Sequence, residues 1–209
     1  MVAILTFSIV RIANDEKRVV LMSNEQIYFE KVSNKHQDII FSWLAEPHMQ
    51  EFWDNSQEHK DDIVNFIQGR KTPSNYFNGI FTYWVGLIHD EPYCFLLTAE
   101  VIDDSDCLAI WRTHLSSTGK TYSLDFGIGN PAFLGKGLAA PTLEAFTSFF
   151  SKNIDPLADT FFIDPDENNP RAIHVYEKAG FKMVGDYIAA QGAFKGQTSH
   201  LMVKQIKEK

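Results

Sequence analysis

The stretch from residue 122 to residue 152 constrains this chain most. Residues 122–129 alternate large apolar with small or polar side chains, Tyr-Ser-Leu-Asp-Phe-Gly-Ile-Gly, which predicts a strand ending in glycines. Asn130-Pro131 turns the chain, and Leu134-Gly135-Lys136-Gly137-Leu138-Ala139 opens a helix that runs to about Lys152. Glycines let a backbone adopt positive φ and come close to a ligand, and the helix behind them offers free N–H groups and the positive end of its dipole. Two readings stand at this point, a cradle for an anion such as a pyrophosphate or a plain tight turn. No Gly-Lys-Ser/Thr closes the loop and no third glycine follows, so neither a Walker loop nor a dinucleotide fingerprint fits.

The remaining pattern predicts a mixed α+β chain. Leu5, Phe7 and Ile9, then Val19 and Leu21, read as an N-terminal hairpin over residues 1–24, and Ile27 with Phe29 marks a further strand. Ser33 or Asn34 caps a helix whose apolar face is Ile39, Ile40, Trp43 and Leu44, and Pro47 ends it. A loop over residues 47–55 carries Phe52 and Trp53, and a second amphipathic helix spans 56–71. Residues 80–88 and 93–101 are β-rich and joined at 89–92 as an antiparallel hairpin, whereas the stretch after the acidic loop at 103–106 has no clear assignment. A short strand at 160–164 follows, then a helix opened by Asn168-Asn169-Pro170 and ended by Gly180, a strand from Phe181, and a last strand at 199–206. No repeat or linker interrupts the 209 residues, so one domain is expected, with a largely antiparallel sheet, about four helices and two late βαβ-like crossovers.

Charge narrows the partners. The 19 basic and 27 acidic residues leave a net charge of −8 with no basic run, which excludes nucleic acid as the main partner. Residues 1–10 are apolar but broken by Thr6 and Ser8 and lack a basic flank, so neither a signal peptide nor a membrane span is expected. A cytoplasmic protein, monomer or homodimer, follows. Cys94 and Cys107 make no disulfide framework and no metal-ligand spacing occurs, so reduced structural thiols and no metal are expected.

Thirty residues past the glycine loop, Asn169, Ala172 and Tyr176 share one helical face and lead to Gly180-Phe181. A glycine loop followed at this distance by Asn-x-x-Ala-x-x-x-Tyr-x-x-x-Gly-Phe resembles the GCN5-related N-acetyltransferase (GNAT) superfamily, which moves an acyl group from acyl-coenzyme A to an amine. The resemblance implies a sheet splayed at the cofactor site and acetyl-coenzyme A as co-substrate. It also implies that the amides of Gly135, Lys136, Gly137, Leu138 and Ala139 hold the pyrophosphate, that Ile128 and Gly129 pair with the pantetheine arm, and that Asn169 serves the cofactor side. Leu134 stands where the superfamily usually has Gln or Arg. From residue 26 onward, Trp43-Leu44 with Pro47-His48, Glu51-Phe52-Trp53, Asp125, and Asp164-Pro165 with Tyr176-Glu-Lys-Ala-Gly-Phe181 resemble aminoglycoside 6′-N-acetyltransferases. Similar features occur in siderophore-biosynthesis acyltransferases acting on lysine or hydroxylysine, which carry a histidine where Ser123 stands here.

The chemistry assigns roles beside that resemblance. An amine attacks a thioester only when unprotonated, so a carboxylate must bind the ammonium and take its proton; Asp125 is the candidate base and amine ligand. The alternative is a capping or salt-bridged aspartate, since an acid in an apolar strand needs a partner. Tyr176 is carried over as the acid that protonates the departing thiolate, against a plain core tyrosine. Asp164 is carried over as a second ligand for the substrate cation, or else caps the Asn168 turn. Phe52 and Trp53 would wall the amine pocket of a small polycationic acceptor, or simply fill the core. A non-catalytic acyl-coenzyme A binder would need neither Asp125 nor Tyr176.

Overall fold

The computed structural model describes residues 18–22, 25–77, 79–104, 107–190 and 192–206. Its strands are β1 (Arg18–Met22), β2 (Glu25–Lys31), β3 (Thr82–Ile88), β4 (Glu91–Val101), β5 (Lys120–Ile128), β6 (Ala158–Ile163), β7 (Lys182–Ile188) and β8 (Thr198–Gln205). Among the described residues the longer helices are α1 (Gln37–Leu44), α3 (Gln57–Ile67), α5 (Ala139–Asn153) and α6 (Pro170–Lys178), with single turns α2 (Pro47–Gln50) and α4 (Ala109–Arg112). One sheet runs in the order β1-β2-β3-β4-β5-β6-β8-β7. Only the β5–β6 pair is parallel among these neighbours. The mixed fold with a mostly antiparallel sheet is therefore the expected one.

Local chemistry explains the boundaries. His89 and Asp90 both take positive φ, +51° and +62°, which closes the β3–β4 hairpin in two residues. The expected four-residue link is thus shorter: Glu91 and Pro92 already belong to β4, proline being tolerated at a strand's start. Pro47 ends α1 as predicted but also opens α2 from its first-turn position, so the expected 47–55 loop begins with a helical turn. Ser56 caps α3 by accepting from the His59 amide at 3.2 Å. The unassigned stretch after residue 106 contains α4.

At the sheet's edges one expectation changes and another falls partly outside the described residues. The 5–9 half of the N-terminal hairpin lies outside the described residues, and the strand holding Val19 and Leu21 pairs with β2, Arg18 opposite Phe29. Of the two late crossovers, β5-α5-β6 makes parallel neighbours, but β6-α6-β7 skips a place. β8 fills it, antiparallel to both β6 and β7.

Alternation along the strands builds two apolar layers. On one face α5 sets Leu143, Phe146, Phe149 and Phe150 against Phe29, Trp84, Leu96, Leu124 and Phe161. Each such ring stabilises the fold by about 1.5–3 kcal/mol through burial, and the Trp84 indole N–H is satisfied by Thr98 Oγ1 at 3.0 Å. On the other face α1 and α3 cover Tyr83, Val85, Phe95 and Leu97, and the α4 turn brings Trp111 onto Phe162. The parallel β5–β6 ladder runs from Lys120↔Ala158 to Ser123↔Phe162 and ends there, although β5 continues to Ile128. This divergence opens a cleft in the middle of the sheet.

Candidate active site

Extending the Ser123↔Phe162 register by two residues sets Asp125 opposite Asp164, just where the two strands part. Both side chains lie on the α1/α3 face, because Leu124 and Ile163 on either side belong to the α5 core. Asp125 is exposed at this opening. Solvent thus reaches the carboxyl, yet enclosure first and the Asp164 charge second push it up to about 8. Burial likewise raises Asp164, to about 6, against hydrogen bonds from the Tyr187 hydroxyl and its own backbone amide. Two carboxyls so close cannot both ionise freely, and they titrate as a pair. No basic side chain of the described residues is among the groups acting on them. The salt-bridge alternative for Asp125 therefore has no partner here, and Asp164 binds Tyr187 and not the Asn168 turn, which Asp166 caps instead.

Tyr176 on α6 belongs to the opposite apolar layer and is 8 % exposed. Burial raises its hydroxyl pKa, and the charges of Asp125 and Asp164 raise it further. The opening between β5 and β6 thus joins this hydroxyl electrostatically to the carboxylate pair from the far side of the sheet. Such a hydroxyl keeps its proton at any ordinary pH and can pass it on only as it takes up another.

The glycine loop lies just before α5. Gly135 and Gly137 take φ of +72° and +73°, and a Cβ built on either would meet no atom within 4 Å. Positive φ favours glycine, and open space in front of the amides suits a bulky anion better than a tight turn stitched to its surroundings. The first amides of α5 add unpaired N–H groups, and Leu138, its N-terminal flanking residue, makes no side-chain cap that would compete for them. Lys136 reaches over the Phe133 ring at 5.0 Å and Leu134 is exposed. Asn169 is placed otherwise: its Oδ1 accepts from the Ala172 amide at 3.0 Å as the cap of α6. What remains for a ligand is its amide nitrogen.

Between cradle and carboxylates, the α1–α3 segment grips β5. Trp43 lies so close over Gly129 that a Cβ there would come within 2.3 Å of its ring, and Met49 with Trp53 covers Gly127 in the same way. His48 Nε2 lies 2.9 Å from the Ile128 carbonyl, and so donates to it. Trp53 continues onto Phe95 with ring centroids 5.3 Å apart, and Phe52 is half-buried beside it. Asp54 accepts from the Ser56 amide at 2.7 Å, while Tyr76, whose hydroxyl feels both Asp54 and Asp125, stacks on His59 at 4.7 Å. Tyr187, Tyr76 and His48 are the site neighbours that sequence reasoning did not single out as site residues. Of the acidic loop, Asp103 is occupied by Arg112 at 2.5 Å.

Residues 33–188, most of the chain, match the protein family described as "Acetyltransferase (GNAT) domain". The chain belongs to this GNAT acetyltransferase family. It is accordingly an acetyl-coenzyme A-dependent N-acetyltransferase, as the glycine loop and the Asn169–Phe181 motif suggest in the sequence. Among curated relatives, aminoglycoside N(6′)-acetyltransferase type 1 of Klebsiella pneumoniae is 25% identical over 174 residues, 83% of each chain. A kanamycin resistance protein of Rhizobium radiobacter is 35% identical over 69 residues, 33% of this chain and 62% of its own. Among solved structures, the aminoglycoside N(6′)acetyltransferase of Legionella pneumophila superposes with a TM-score of 0.65 at 21% identity, covering 87% of this acetyltransferase and 93% of its own chain. An aminoglycoside acetyltransferase solved with coenzyme A and kanamycin gives 0.65 at 21%, over 86% and 94%. These structures share the fold of the acetyltransferase described here. Its two cysteines are free, and burial raises both thiols, that of Cys94 to about 12.

Proposed function

We propose that this acetyltransferase moves an acetyl group from acetyl-coenzyme A to a primary amine of a small polycationic acceptor, in the manner of aminoglycoside 6′-N-acetyltransferases. The observation that carries the reading is the unneutralised Asp125/Asp164 pair at the mouth of the β5–β6 opening. Two carboxylates without a basic partner suit a ligand that brings its own positive charge. The curated relatives and the structure holding kanamycin and coenzyme A support the same acceptor class.

In this reading the amides of Gly135 to Ala139 hold the pyrophosphate, and the free edge of β5 at Ile128 and Gly129 aligns the pantetheine arm. When bound, acetyl-coenzyme A supplies the activated thioester. Asp125 and Asp164 seat the ammonium; Asp125, near neutral in proton affinity, takes one proton and leaves the amine free to attack. The Gly129 amide polarises the carbonyl as its oxygen gains charge. Tyr176 gives its proton to the thiolate and regains one from the new amide nitrogen's side. Phe52 and Trp53 wall the acceptor. The chain would act as one acyltransferase domain over residues 1–209. It would work in the cytoplasm, where acetyl-coenzyme A is made, as a monomer or homodimer without a metal.

Thiol release from acetyl-coenzyme A by the purified chain tests this, across kanamycin-type aminoglycosides, polyamines, lysine and hydroxylysine. Turnover with aminoglycosides is expected to exceed that with the amino acids. Turnover with lysine or hydroxylysine alone would replace the acceptor assignment with the siderophore type, and tight cofactor binding with no turnover on any amine would favour a binding module.

A further inference from the structure

Tyr187 projects from β7 on the face that carries Asp164, and its hydroxyl donates a short hydrogen bond to Asp164 Oδ2. The ring is held edge-on against Trp111, centroids 5.9 Å apart at 87°, and its backbone is in register with Ser199 of β8. The hydroxyl therefore has little freedom to leave. Among the described residues Asp125 has no comparable donor. The two acids look alike in sequence, yet the fold treats them differently.

We infer that Tyr187 is a positioning residue that divides the labour of the carboxylate pair, holding Asp164 as the anion that meets the acceptor's charge and leaving Asp125 as the carboxyl that exchanges the proton. The inference rests on the acceptor-site reading of the pair. The groups facing the two acids are each other, Tyr187 from β7, Tyr176 from α6, and Tyr76 and Tyr83 beyond Asp125. Asp186, next along β7, points to the other face and pairs with His200 at 2.6 Å. None of these brings a cation to the pair. Donation stabilises a carboxylate and not a carboxylic acid, so it lowers the proton affinity of Asp164 alone. Burial pushes both carboxyls above the ordinary range, and the Tyr187 bond draws only Asp164 back down. In the empty site at neutral pH, Asp164 is then charged and Asp125 holds one proton. An arriving ammonium displaces that proton to solvent, and Asp125 becomes the base that takes one of the ammonium's own. Two protons leave the nitrogen, one to Asp125 and one toward the thiolate, so the turnover balances with one proton released to solvent.

The test is a carbon-13 titration of carboxyl-labelled aspartates in the full chain without substrates, with signals assigned through Asp125→Asn and Asp164→Asn. Expected is a lower step on the Asp164 signal and an upper step on Asp125. In Tyr187→Phe the lower step should rise by about one pH unit, the effect of losing one hydrogen bond to a charged group, and should spread onto both signals. Replacing Tyr187 by 3-fluorotyrosine, which keeps the ring but sharpens the donor, should move the lower step the opposite way; this variant carries the test if Tyr187→Phe does not fold. A lower step unmoved in the folded variants, or one that sits on Asp125, overturns the inference. Absence of turnover on every amine would instead remove the acceptor reading, because the titration needs no acceptor.

Discussion

Substituting Gly137 by alanine separates the cradle from an ordinary turn. The residue sits at φ +73°, a region an L side chain enters at a cost of roughly 1 kcal/mol. A Cβ there collides with nothing, since no protein atom lies within 4 Å of it. The free protein should lose only that strain, a fall in Tm of about 2–4 °C for a chain this size. In the proposed cradle the methyl nonetheless projects into the space a phosphate oxygen would enter to reach the loop amides. Displacing it by an ångström forfeits at least one hydrogen bond to a charged group, about 1.5–3 kcal/mol. Kd for coenzyme A, measured by calorimetry, should therefore rise about tenfold to a hundredfold. Gly69→Ala is the control: φ is +81°, nothing lies within 4 Å, and the position follows α3, far along the chain from the loop. It should reproduce the small loss in Tm with unchanged affinity. A Gly137→Ala protein that binds coenzyme A as the parent does would refute the cradle and return the loop to a plain turn.

Gly129→Ala should act in the opposite manner, because its Cβ would come within 2.3 Å of the buried Trp43 ring; overpacking of about 1–3 kcal/mol is expected in denaturant melts, with a raised KM for acetyl-coenzyme A. Tyr176→Phe should lower kcat on the order of 10²-fold with cofactor affinity retained; full kcat with chemistry rate-limiting would make the tyrosine structural. Asp125→Asn should stabilise the protein at pH 8 while abolishing the alkaline-rising limb of kcat/KM. The folded carboxyl, at about 8, holds its proton far more tightly than the ordinary value of 3.8. Its contribution to stability is thus whole below about pH 4 and is lost as pH rises toward 8. Because solvent in the open cleft screens the charge, the gain for asparagine at pH 8 should be about 1 kcal/mol, and near zero at pH 4. Equal Tm differences at the two pH values would count against a strained carboxylate.

Local pattern carried the elements well where one physical rule ruled them. Pro47 and Gly180 punctuated helices because a missing N–H or a positive φ leaves little choice. The cradle was visible for the same reason, its two glycines being needed by the backbone itself. Long-range register was not legible. Nothing in residues 160–206 says that β8 inserts between β6 and β7, since strand order depends on which edge is free once the sheet has formed. The nearness of Asp125 to Asp164 follows from the parallel register, so sequence could offer them as separate ligands but not as a coupled pair. Asn169 shows the converse. Its spacing from Ala172 and Tyr176 marked a shared face, and the spacing serves the helix cap first.

Gly127 and Gly129 bear on how the two halves of the site communicate. Both lack a Cβ on the α1/α3 face, and both are covered there, Gly127 by Met49 and Trp53 and Gly129 by Trp43, with the His48 bond to Ile128 between them. The segment proposed to wall the acceptor therefore rests directly on the strand edge proposed to align the pantetheine arm. Packed interfaces of this kind shift as units and do not deform by small degrees. A movement of Trp53 on acceptor binding must press on Gly127, and any change in the line of β5 must reach Trp53. Binding of acceptor and of acetyl-coenzyme A should consequently be coupled, and by linkage equally in both directions. Calorimetry of each ligand with and without the other measures that coupling. Weakening the contact by Trp53→Ala should reduce it even where coenzyme A alone binds as before. Independent binding in the parent protein, with both sites functional, would mean that the segment only roofs the strand.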